Sequence, residues 1–414
     1  MYMKSSLMPT VAALTLALAS AARFPNAGQD RAAAVAHGDS TVARRLDYRL
    51  LLRALVRYRV LAADSAIPQF ATPSKRLVRP GDSLRTVSTL RARLIALGDL
   101  ADTAASESNG RYAGPMVAAV RRFQLRHGLD DDGIIGPLTL AALQFPLALR
   151  VPQIELSLER IRREPPADGG RFITVNVPAY RLFAFDGTVT DSVPALDMKV
   201  IVGRAARTPT PTLAEQLQYL DFWPYWNVPR SILVKEILPK LRRDSTYLRR
   251  ENMELVGEGG AVLGDSGTPA SIAALKADRL RVRQRPGAAN PLGAVKFVIP
   301  NDSNVYLHDT PARQLFSSVR RDFSHGCIRL EDARDLAIWV MRGDPAWNAD
   351  SVDAAMARPQ TRRVALTRSI PVFVEYNTVL ATADGLVWFL PDVYHREGKV
   401  LEDPHGSCAQ APPP

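Results

Sequence analysis

Cysteine is nearly absent from this chain: two in 414 residues, Cys327 and Cys408. A disulfide-stapled scaffold is therefore excluded, because at most one bridge is available. Histidine is scarce as well, with six. Aromatic residues make up only 7%, and they do not interleave with basic residues in an RNA-binding pattern. Past the N-terminal segment no run is apolar enough for the roughly 20 residues that a bilayer crossing needs. Acidic residues are outnumbered, 42 against 53 Lys and Arg, for a net charge of +11. The basic residues are mostly Arg and are scattered over helical segments, so nucleic acid is not the expected partner. A diffuse positive field suits a polyanionic cell-wall polymer, held by screened attraction. Charge alone is equally consistent with a solvated surface. The 46% hydrophobic content suffices for a core without staples.

The first residues carry a positive Lys4, an apolar stretch from Leu7 to Ala19 and a small-residue site, Ala19-Ser20-Ala21. That pattern predicts a secretory signal peptide over 1–21, an exported protein in the periplasm or cell wall, and no integral membrane segment after cleavage. No cysteine follows at the cleavage site, which argues against a lipoprotein. Residues 22–40 read as a linker. Cys408 stands in a Gly/Ser/Pro-rich tail, 396–414, and is expected to stay unpaired with Cys327.

Residues 41–80 begin with a Gly- and Pro-free run, TVARRLDYRLLLRALVRYRVLA, with helical spacing of Leu46, Leu50, Val56 and Val60. Together with 147–165 they predict a helical scaffold. Between them, 81–146 predicts three short helices: Val87 to Leu97 ending at Gly98, Met116 to His127 capped by Gly128, and one opening at Pro137. Asp130 to Asp132 lack EF-hand spacing and read as a solvated turn. His127 reads as a helix-end residue. After Pro165-Pro166 and Gly169-Gly170 the period changes to alternation, in FITVNVPAYRLFAF, KFVIP and VYLH, as in strands. Residues 166–345 therefore predict a β-rich domain, interrupted at about 228–284 by a largely helical insertion suited to a cap. Residues 346–395 add two late strands.

The chemistry concentrates in VIPNDSNVYLHDTPARQLFSSVRRDFSHGCIRL, residues 298–330. A thiol attacks a carbonyl only as thiolate and needs a base or a positive charge nearby. His308, after a strand-like NVYL, is the candidate general base and acid for Cys327. His325 is closer in sequence, but residues two apart in an extended loop need not meet. Arg329 offers a fixed charge and five donors. Gly326 lets the backbone approach closely and present N–H groups to an oxyanion. Zinc held by His308, His325 and Cys327 would lack a fourth ligand, so no metal and no cofactor is expected. Asp309 either orients His308 or caps the Asp-Thr-Pro turn. Papain- and NlpC-type peptidases place Cys before His, the reverse of the order here.

SHGCIRL with His308 upstream resembles the signature of L,D-transpeptidases, the YkuD-type catalytic domain. AVRRFQLRHGL and DGIIGPLTLAAL resemble a peptidoglycan-binding module. FWPYWNVPRSILVKEILPKL, RQRPGAANPLGAVKF, NVYLHDTP and VEYNTVLATADGLVWFLPDVY are similar to the large YcbB-type branch. The resemblance implies an α+β multidomain fold: an all-α N-terminal scaffold, a three-helix wall-binding module, and a β-rich catalytic domain of mixed sheets or sandwich form with a helical cap. It implies a Cys327 thioester, release of D-Ala, and 3→3 cross-links between peptidoglycan stem peptides. Hydrolysis by water, attachment of a lipoprotein, and an inert wall-binding scaffold are the rival readings. Ser324, His325, Arg329, Tyr306 and Trp226 are expected to shape the loop or line the substrate pocket. In this family the partner that orients the histidine is often a backbone carbonyl.

Overall fold

The computed structural model describes residues 42–102, 110–163, 170–187, 194–382 and 384–398. The expected signal peptide, linker and Cys408 lie outside them. Among the described residues no helix is long and apolar enough to cross a membrane.

Five helices build the N-terminal region: α1 Val42–Ala63, α2 Val87–Leu97, α3 Pro115–Arg126, α4 Pro137–Gln144 and α5 Leu147–Arg163. Leu51, Ala54, Leu55 and Tyr58 of α1 form a buried stripe at helical spacing and share one core with Ile154 and Leu158 of α5. Leu90 and Leu94 of α2 and Val120 and Phe123 of α3 are buried in the same core. Gly98 and Gly128 end their helices with φ of +86° and +64°, the left-handed geometry that glycine adopts without strain. Pro115 and Pro137 occupy first-turn positions, where a missing N–H costs nothing.

Eight strands close into a barrel: β1 Phe172–Asn176, β2 Arg181–Phe185, β3 Leu196–Ile201, β4 Leu213–Phe222, β9 Val295–Val298, β10 Leu307–His308, β11 Ile328–Leu330 and β12 Arg362–Glu375. Their order around it is β1-β12-β4-β9-β10-β11-β3-β2. The pairs β1–β12 and β10–β11 are parallel and the others antiparallel. The mixed strand directions match expectation, but the sheet closes on itself instead of packing as a sandwich. Closure removes the edges that an open sheet would leave unpaired. The interior is apolar, with Ile173, Val175, Val200, Leu217, Leu220, Phe297, Leu307 and Ile328 contributing to one cluster. Helix α7 (Ala333–Met341) packs against it through Leu336, Ala337 and Val340.

The insertion departs from the helical expectation. It holds a four-stranded antiparallel sheet, ordered β5-β8-β6-β7, from β5 Trp226–Asn227, β6 Met253–Val256, β7 Val262–Gly264 and β8 Arg281–Gln284. Helical turns over 230–243 and helix α6 (Pro269–Lys276) surround a separate core of Leu233, Leu241, Leu248, Leu255 and Val282. Strands of two to four residues carry too little alternation to compete with the helical rhythm of 230–243. Leu233–Ile237 winds as a π turn. Pro239 has no N–H for the carbonyl four residues back, so the regular ladder is interrupted there.

The late segment also divides. Strand β12 belongs to the barrel. The hairpin of β13 (Val379–Ala381) and β14 (Val387–Phe389) instead buries Val379, Val387 and Phe389 in the core of the N-terminal helices.

Candidate active site

Strand register assembles the site. Leu307 pairs with Ile328 and with Phe297, and all three are fully buried in the barrel. His308 pairs with Arg329 on one side and with Lys296 on the other. Because side chains alternate, Tyr306, His308, Cys327, Arg329 and Lys296 share the opposite face. The Ile328 N–H donates to the Tyr306 carbonyl at 3.0 Å, which sets Cys327 beside Tyr306. His308, on β10, and Cys327, just before β11, nineteen positions apart in sequence, are thus brought to neighbouring parallel strands.

The Cys327 thiol is free. Its sulfur lies 3.7 Å from the Asn304 carbonyl and accepts hydrogen bonds from the Tyr306 N–H and hydroxyl. Burial pushes the thiol above its ordinary pKa, and it does so against the Tyr306 hydrogen bonds and the charges of Lys296 and Arg329. His308 is 4% exposed. Burial, seconded by the charge on Arg329, drives its pKa down to about 3. The resting pair is therefore a neutral thiol and a neutral imidazole, not a preformed ion pair. The His308 Nδ1–H donates to the Asp309 carbonyl at 2.5 Å. The Asp309 carboxylate turns away, accepting from the Ala294 N–H at 2.8 Å and from Arg313 at 2.5 Å. Of the two roles open to Asp309, orienting the ring falls to its backbone, while its side chain braces the neighbouring turns.

The loop before Cys327 is fixed from several directions. Gly326 adopts φ +117°, a region that other residues enter only with strain. Its N–H donates to Ser324 Oγ at 3.1 Å, and Ser324 Oγ donates to the Cys327 carbonyl at 2.5 Å. The Gly326 N–H is thus engaged, whereas the Cys327 N–H has no partner among the described residues. Thr210 Oγ1 donates to the Gly326 carbonyl at 2.8 Å and accepts from the Gly203 N–H at 2.8 Å. Tyr394 Oη donates to the Gly203 carbonyl at 2.8 Å.

The remaining expected residues separate. Tyr306 touches the sulfur, and its ring lies 5.7 Å from that of His308. Arg329 faces the site half-buried, with a buried Nε that has no hydrogen-bond partner. His325 points away from the sulfur and meets Glu236 of the insertion, Nε2 to Oε1 2.8 Å. Trp226 packs on the insertion's own core. Lys296 was not anticipated. It is one basic residue among 53, and only the pairing of β9 with β10 reveals its place. Among the described residues no group of three or more His, Cys, Asp or Glu could hold a metal.

Residues 170–347 match the family described as L,D-transpeptidase catalytic domain. Residues 84–143 match the family described as "Putative peptidoglycan binding domain". The chain is 32% identical over 246 residues to a "Putative L,D-transpeptidase" of Haemophilus influenzae, covering 58% of this chain and 47% of that protein. The chain thus spans about half the length of the curated relative it matches. A crystal structure of a fused Zn-dependent amidase/peptidase/peptidoglycan-binding domain-containing protein from Clostridium acetobutylicum covers 73% of this chain and 100% of its own, at 13% identity and a TM-score of 0.20. A likeness that low supports no argument.

Proposed function

We propose that this chain, whose residues 170–347 match the L,D-transpeptidase catalytic domain and whose residues 84–143 match a peptidoglycan-binding domain, is a cysteine acyltransferase of the cell wall that joins peptidoglycan stem peptides by 3→3 cross-links. The observation that carries the reading is the parallel register of β10 and β11, which puts His308 and Cys327 on one face of neighbouring strands.

In this mechanism the Cys327 sulfur attacks the carbonyl of the third stem residue of a tetrapeptide donor, and its proton passes to the neutral imidazole of His308. The Asp309 carbonyl holds the Nδ1–H, which leaves Nε2 as the basic nitrogen. The Cys327 N–H donates to the developing oxyanion, while Gly326 and Ser324 hold the loop in shape. Collapse breaks the peptide bond, and the departing D-Ala amine takes the proton back from His308. The side-chain amine of a neighbouring stem then attacks the thioester and gives its proton to His308. The cross-link forms and the Cys327 thiol is restored. Arg329 suits a substrate carboxylate.

The test is incubation of the protein with disaccharide-tetrapeptide, followed by mass spectrometry. A dimer lacking one D-Ala supports transpeptidation. Tripeptide alone would reassign the protein as a carboxypeptidase. Cys327→Ala should abolish both products, and full activity in that variant would remove the thioester.

A further inference from the structure

Lys296 stands opposite His308 in the β9–β10 register and opposite Asp221 in the β4–β9 register. Asp221 does not neutralise it by contact. That carboxylate is held by Arg363 of β12 at 2.7 and 3.0 Å. The Lys296 ammonium instead sits 3.8 Å from the centroid of the Tyr306 ring, half-buried and without a hydrogen bond or ion pair among the described residues. The same Tyr306 donates its hydroxyl to the Cys327 sulfur. A desolvated ammonium without a carboxylate in contact is costly, and an aromatic face offsets only part of that cost. Of the negative charges that favour it, Asp221 comes first although it is tied to Arg363, and the ionised Cys327 sulfur comes next.

We propose that Lys296 is a positioning residue of the reaction, an ammonium held on the face of Tyr306 as the unpaired counter-charge for the Cys327 sulfur. It acts through its field and not by touching the reacting carbonyl. The other groups around the sulfur are already accounted for. His308 comes from β10 and Tyr306 from the position just before that strand, and Arg329 comes from β11, with Arg204 beside Arg329. Asp221 of β4 is tied to Arg363, and His325 is tied to Glu236. Lys296 also discourages a second positive charge on His308, which keeps the ring available as a base.

The inference rests on Cys327 as the nucleophile, yet its first readout needs no substrate, and kinetics on tetrapeptide are measured beside it. The rate of Cys327 alkylation by iodoacetamide is followed against pH in the unaltered protein, Lys296→Met and Lys296→Arg, with Cys327→Ala as the blank and thermal melts to confirm folding. Lys296→Met should move the midpoint up by about 1 pH unit, making alkylation at neutral pH roughly tenfold slower. Lys296→Arg should restore the midpoint. An unmoved midpoint in a folded Lys296→Met protein overturns the proposal, as does an equal shift in both variants, which would mark a packing role. A raised KM for tetrapeptide with an unmoved midpoint also overturns it, and makes Lys296 a binder of a substrate carboxylate. A shifted midpoint in a protein without activity on tetrapeptide would leave Lys296 its role and sink the transpeptidase reading alone.

Discussion

A base that is empty over most of the pH scale should leave a mark on the kinetics. Burial, with the charge on Arg329 next, holds His308 to about 3, so the ring is unprotonated and competent from there upward. A histidine of ordinary pKa would lose activity as pH falls through about 6.5. We therefore expect kcat/KM for D-Ala release from tetrapeptide to stay level between about pH 7 and 5, with folding checked by circular dichroism. An acidic limb centred near 6.5 would mean that the imidazole is far better solvated than its 4% exposure implies. At this scale Cys327 and His308 stood out as candidates because cysteine and histidine are rare in the chain and cluster there, and Arg329 stood out only by lying beside them. Lys296 did not, and neither did the bond from Tyr306 to sulfur. Both depend on which strands pair, which a run as short as VKF cannot declare.

The loop and the cap are where the sequence spoke least clearly. Ser-His-Gly-Cys signals a reactive loop, but what immobilises it lies elsewhere: Thr210, 116 positions from the Gly326 that it holds, then Gly203, and Tyr394, 191 positions from the Gly203 that it holds. Gly203 is the tightest point. A Cβ there would come 1.9 Å from the Thr208 carbonyl and 3.0 Å from the Gly326 Cα. Backbone cannot swing aside as a flexible side chain can, so Gly203→Ala must push the loop off its support. We expect a stability loss of about 2 kcal/mol and at least a roughly tenfold fall in Cys327 acylation, from displacement of the oxyanion donor. Urea unfolding and mass-spectrometric acylation measure the two. Unchanged acylation would show that the loop does not depend on this contact. The insertion was expected to be largely helical and holds a four-stranded sheet as well. Its helices announced themselves by period, its short strands did not, and its link to the loop through Glu236 and His325 joins residues 89 positions apart.

Across the whole molecule, the hairpin of β13 and β14 ties the barrel to the N-terminal helices through charges that are out of water. Arg126 binds Asp99 and donates to the Val387 carbonyl at 2.7 Å. Arg150 lies between the rings of Phe145 and Phe389, 4.1 Å from each. Glu397 reaches back to Arg160 at 3.0 Å. His127, expected only as a helix end, is buried there, stacked 3.9 Å from Phe123 and 5.9 Å from Phe389. Burial, then the charges of Arg126 and Arg150, lowers its pKa well below the usual value. His127 and His308 consequently act alike. In the unfolded chain each takes up a proton near pH 6.5, whereas in the folded protein each stays neutral. Below that pH the unfolded state binds more protons, so stability is fully present above about 6.5 and falls as the solution is acidified. Each ring contributes a slope of up to about 1.4 kcal/mol per pH unit. His127→Phe keeps the stacked ring and removes one of the two titrating groups. Between about pH 6 and 5, above the range where carboxylates titrate, its unfolding free energy should fall with roughly half the slope of the unaltered protein. Identical slopes would mean that His127 is protonated in the folded state, which the neighbouring guanidinium groups and its burial argue against.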